Sequence, residues 1–120
     1  MKIPPKNELA SSSCQAYLKG APCLSDTEIS TLLGYLIGWT REGDKLSREY
    51  IFATYLSGVR WFDRVAEISE REDHHPDVMV SWGRVTVTYW THTVGGLSLN
   101  DFILAVKLDA AWSIFEKSGQ

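Results

Sequence analysis

Over residues 84–92 the side chains alternate with a period of two. Val85, Val87, Tyr89 and Thr91 fall on one side, and Thr86, Thr88, Trp90 and His92 on the other. β-Branched and aromatic residues dominate, so the segment reads as a strand. Residues 78–81, joined to it near Gly83, make the partner strand of a hairpin. A second hairpin is expected over residues 39–42 and 45–52, around the turn Gly43-Asp44. In its second strand Leu46, Arg48, Tyr50 and Phe52 alternate with Lys45, Ser47, Glu49 and Ile51.

Helical patterns separate the hairpins. Ser25-Asp26-Thr27-Glu28 is a capping box, followed by Ile29, Leu32, Leu33 and Leu36 at helical spacing, with Gly38 as a stop. Thr54 can cap a long helix running to about Glu72. On it Tyr55, Val59, Phe62, Ala66 and Ser69 share one face, and Leu56, Trp61 and Val65 widen the apolar surface. That is more than a surface helix needs against one core, and points to a second packing partner such as another subunit. A last helix begins at Ser98, with Asp101 completing a capping box, and carries Phe102, Ile103, Val106, Ala110 and Ile114. The order α-β-β-α-β-β-α predicts an α+β fold: a four-stranded antiparallel sheet with three helices on one face. Pro4-Pro5, Ser11-Ser12-Ser13 and Ala21-Pro22 break regular structure, so residues 1–25 are expected to be a loose N-terminal extension and residues 26–120 the single domain.

Composition narrows the function classes. With 120 residues, 44% of them hydrophobic, the chain can build one core. No apolar run approaches the roughly 18 residues of a membrane span. The start lacks a signal-peptide core, so a cytoplasmic location is expected. A net charge of −3 offers no footprint for direct nucleic-acid binding. Cys14 and Cys23 cannot form a disulfide framework and receive no role.

All three histidines lie between positions 74 and 92. His74-His75 follow a helix and precede Pro76, which forces residue 75 out of helical geometry. Flanked by Asp73 and Asp77, they could cap the helix end or exchange protons. His92 closes the firmest strand, beside a glycine turn. Asp101 could serve only as a helix cap, or could orient a histidine. Glu70 sits one turn before His74. Neither a helical i, i+4 histidine pair nor HExxH is present, so no metal is expected. There is no serine elbow and no phosphate-binding glycine loop. Proton transfer remains, because imidazole titrates near neutrality.

Together these residues form one pattern: Glu70-x3-His74-His75-Pro76-x5-Trp82-x9-His92-x8-Asp101. It resembles the signature of the pterin-4a-carbinolamine dehydratases, the family that includes the dimerisation cofactor of a homeodomain transcription factor. Tyr50-Ile51-Phe52, Arg64-Val65-Ala66, Thr91-His92 and Gly96-Leu97-Ser98 extend the likeness, which covers about residues 26–118. The resemblance implies dehydration of a 4a-hydroxytetrahydropterin without a cofactor, the pterin being substrate. His74, His75, His92 and Asp101 would form the catalytic set, and Glu70, Asp73, Pro76, Trp82 and Thr91 would bind substrate. It further implies a homodimer or homotetramer; the alternative reading is a protein-binding dimerisation cofactor or transcriptional coactivator that uses the outer surface of the long helix. Two departures stand out. Val78-Met79 lie where many members carry an aromatic, and Gly58 replaces a frequent helical alanine, at a cost of up to about 1 kcal/mol.

Overall fold

The computed structural model describes residues 2–118. Met1 and residues 119–120, which the expected extension and domain include, lie outside the described residues. Four helices and four strands follow one another: α1 (Lys6–Ser11), α2 (Asp26–Leu33), β1 (Trp39–Glu42), β2 (Lys45–Ile51), α3 (Tyr55–Glu72), β3 (Asp77–Ser81), β4 (Arg84–Tyr89) and α4 (Leu99–Lys117), with a 3₁₀ turn at His92–Val94. The sheet order is β1-β2-β4-β3, and every pair is antiparallel. The expected order is therefore present, with α1 added in front.

The two hairpins meet along β2 and β4, where Tyr50 opposes Val85, Arg48 opposes Val87 and Leu46 opposes Tyr89. These side chains form the buried face. Lys45, Glu49, Ile51 and Met79 lie on the open face. Trp61 of α3 and Trp112 of α4 close on Tyr50 with ring centroids 5.1 and 4.8 Å away. Arg48 puts a charge into this apolar layer. A buried charge must be paired, and Asp109 of α4 meets it at 2.8 Å while also accepting from the Trp39 indole at 2.8 Å.

Four local expectations change. α2 stops at Leu33, and Gly38 instead supplies the positive φ of +80° that turns the chain into β1. β4 stops at Tyr89, because its neighbours end there: Leu46 is its last partner on β2, and Asp77 pairs with Thr88 on the other side. His92 accordingly sits on the 3₁₀ turn and not in a strand. On α3 the inward face is Ser57, Gly58, Trp61, Val65, Ile68 and Ser69, so the stripe of Tyr55, Val59, Phe62 and Ala66 lies to its side. Finally, the stretch expected to be loose holds a helix. Leu9 of α1 is buried in the main core, and Lys107 of α4 donates to the Ala10 carbonyl at 3.0 Å.

Candidate active site

α3 ends on Asp73, whose φ of +51° is the one positive value at a non-glycine among the described residues. Asp tolerates the left-handed conformation better than most residues, at a cost of about 1 kcal/mol. The reversal lets the His74 N–H close a Schellman-type bond to the Ser69 carbonyl at 3.2 Å. It also sends the two histidines apart. His74 turns inward, its side chain 12% exposed, while His75 points outward at 55%.

Asp101 meets His74 from the opposite side. It is completely buried in the first turn of α4. Its Oδ1 lies 2.6 Å from His74 Nε2, and its Oδ2 accepts from the Thr91 hydroxyl and the Ser98 N–H, both at 2.9 Å. The carboxylate can only accept, so Nε2 carries the hydrogen and Nδ1 is left with its lone pair. Asp101 thus caps α4 with one oxygen and meets His74 with the other. The His74 ring also stacks on Tyr89, centroids 5.8 Å apart and 11° from parallel. The Tyr89 hydroxyl is in turn 2.6 Å from Ser69 Oγ.

A cleft of about 400 Å³ opens beside this pair, with His74, His75, Pro76, Trp90 and His92 along its walls. Glu70 holds His75 through a 2.6 Å contact at Nε2, on the exposed surface. The His92 ring rests on Trp90 at 4.3 Å. Asp73 and Thr91 line the same cleft, although the Thr91 hydroxyl is spent on Asp101 and Ser98. The described structure therefore brings Asp73, His74, His75, Pro76, Thr91, His92 and Asp101 together. Trp82 stands apart, 76% exposed at the tip of the β3–β4 hairpin, the far end from Pro76.

Two groups escaped the sequence reading. Trp90 had a visible signal, being a large aromatic directly after β4 and two residues before a histidine. The other is residues 14–17, which border a second cleft of about 300 Å³ that also touches Asp73, His74, Thr91 and Thr93. Cys14 within it is no nucleophile. Burial above all, and then the charges of Glu72 and Asp101, push its thiol up to about 12, so it stays protonated. Among the described residues no three His, Cys, Asp or Glu side chains converge as metal ligands would. No helix among them is long and apolar enough to cross a membrane.

What the arrangement can do is move protons: three histidines face one cleft and a buried carboxylate fixes one of them. Residues 22–111 match the family described as pterin 4 alpha carbinolamine dehydratase. A protein of Nitrosospira multiformis, provisionally named a pterin-4-alpha-carbinolamine dehydratase, is 41% identical over 108 residues, spanning 90% of this chain and 96% of that one. One of Microcystis aeruginosa with the same provisional name is 40% identical over 106 residues, 85% and 91% of the two chains. A crystal structure from Brucella melitensis, described as a transcriptional coactivator/pterin dehydratase, superposes with a TM-score of 0.70 at 28% identity, covering 73% of this chain and 96% of that one.

Proposed function

The chain belongs to the pterin 4 alpha carbinolamine dehydratase family, and on that premise we propose that it removes water from 4a-hydroxytetrahydrobiopterin to give the quinonoid dihydropterin, in the cytoplasm, as a step of tetrahydrobiopterin recycling. The hydroxyl leaves from the carbon next to N5. Hydroxide is a poor leaving group, so an acid must protonate it as the C–O bond breaks. The N5 lone pair forms the new C=N bond, and a base collects the proton from the ring nitrogen. No electrons enter or leave overall, and no cofactor is needed.

The observation that carries this reading is the buried Asp101 holding His74 at 2.6 Å on the wall of an open cleft. With Nε2 occupied, His74 presents Nδ1 to the substrate. His92, on the same cleft, is the second proton carrier, and between them they act as acid and base. His75, steadied by Glu70, positions the pterin or takes its nitrogen proton. Asp73 and Pro76 contact the polar edge of the ring, and Trp90 offers a flat apolar face to it. Thr91 acts through Asp101.

The test follows decay of freshly prepared 4a-hydroxytetrahydropterin by ultraviolet absorbance. The protein should accelerate it, and His74→Ala and His92→Ala should each lower the rate by about a hundredfold, the usual range for losing a positioned acid or base. Rates that stay unchanged in both variants would overturn the assignment. The half-exposed stripe on α3, together with Tyr55 and Leu56 at 47% and 62% exposure, supports a second part of the reading: a homodimer or homotetramer assembled through this helix.

A further inference from the structure

Residues 14–20 cross the molecule next to the histidine cleft, and each end is tied down beside a residue of the proton-transfer set. At the first end the Cys14 N–H donates to Glu72 Oε1 at 2.8 Å, directly before Asp73-His74 in the chain. Asn100, directly before Asp101, grips Gln15 twice: its Oδ1 accepts from the Gln15 N–H at 3.0 Å and its Nδ2 donates to the Gln15 carbonyl at 2.7 Å. At the far end the Gly20 N–H donates to the carbonyl of Thr93 at 3.2 Å, directly after His92. Asn100 is 95% buried and Glu72 nearly so, so these anchors are built into the fold. Lys107 draws Glu72 into place at 3.7 Å.

A loop held this way by peptide hydrogen bonds has its position fixed relative to three site residues. It forms one wall of the second cleft, which joins the first along Asp73, His74, Thr91 and Thr93. The wall is polar. The Gln15 side-chain amide donates to the Tyr17 hydroxyl at 3.2 Å, leaving the amide oxygen, its second hydrogen and the phenol proton available. A pterin whose C4a lies at His74 carries its C6 substituent on the atom next to N5, within reach of a neighbouring cleft.

Resting on the dehydratase reading above, we propose that residues 14–17 are a substrate-selecting wall. Gln15 and Tyr17 hydrogen-bond a hydroxylated chain at C6, so that the protein prefers a pterin with a polyol substituent to one with a plain methyl group. The loop lies outside residues 22–111, which match the family model, so the selectivity comes from the lead-in and not from that matched region.

The double variant Gln15→Ala/Tyr17→Ala tests this with two substrates, the 4a-hydroxytetrahydropterins bearing a dihydroxypropyl or a methyl group at C6. Losing one or two neutral hydrogen bonds should lower the kcat/KM ratio of the first substrate over the second by about tenfold, and the loss should lie in KM. Asn100→Ala, which frees the loop but leaves both side chains, should move the ratio the same way. Circular dichroism melts check that both variants fold. An unchanged ratio in two folded variants, or a loss confined to kcat and equal for both substrates, would overturn the wall while leaving the dehydratase reading intact. Wild-type protein that accelerates neither substrate would overturn both.

Discussion

At the scale of single residues the central fact is that Asp101 divides its two oxygens between a helix and a histidine. Asp101→Asn keeps the size, and the two donors Thr91 and Ser98 hold its remaining oxygen, so the NH₂ group faces His74 Nε2 and cannot accept its hydrogen. Activity should fall by about a hundredfold through loss of the His74 tautomer, as for losing the positioned proton carrier itself, and stability by about 1 kcal/mol through the hydrogen bond to His74. Steady-state kinetics and a urea titration read the two separately. A variant that lost stability alone would show that Asp101 is only a cap. Much of this was legible: the Ser98–Asp101 spacing announces the cap, and Pro76 announces that His74 and His75 must diverge. The left-handed Asp73 was not legible, because a helix usually makes that reversal with glycine. Trp82 illustrates the opposite error. Its place in a linear pattern says nothing about the far end of a five-residue strand.

At the scale of elements, Gly58 shows what separates propensity from packing. Alanine would favour the helix by about 1 kcal/mol. A Cβ there, however, would lie 3.1 Å from Val85 Cγ2 and 3.4 Å from Phe52 Cδ2. Val85 is fully buried on a central strand and cannot retreat. Crowding of this kind costs about 1–3 kcal/mol, so Gly58→Ala should lower Tm by a few degrees, and a rise in Tm would show that the α3–β4 contact yields. The existence and order of α2, α3, α4 and all four strands were readable, because capping boxes and the two periodicities act locally. The end of β4 was not. It is set by where the neighbouring strands stop, information that lies about 40 residues away in the chain. For the same reason the inward face of α3 was not legible: several apolar stripes run along that helix, and only the sheet selects among them.

For the whole molecule, the surplus stripe on α3 is the feature that one copy leaves unused. If copies associate there, Val59→Glu and Phe62→Glu should shift the protein to a smaller species in sedimentation velocity while preserving its circular dichroism. An assembly unaffected by either charge would place the contact elsewhere. The lead-in teaches the converse lesson. Prolines and serines mark residues 1–25 as irregular, and outside α1 the described ones are. Irregular backbone can still be held firmly, by bonds such as Cys14 to Glu72 or Gln15 to Asn100 across 58 and 85 residues. No local pattern encodes contacts of that length, so composition alone reads an anchored loop as a loose one.

The double duty of Asp101 has an effect on how such a protein would fail. Its oxygens close the first turn of α4 and hold His74 in one act, so on the proposed mechanism fraying of that turn by a few residues would silence the chemistry while most of the sheet is still intact. Warming the protein would then shut off turnover ahead of bulk melting. The interval between the two temperatures would measure how firmly a single helical turn is held.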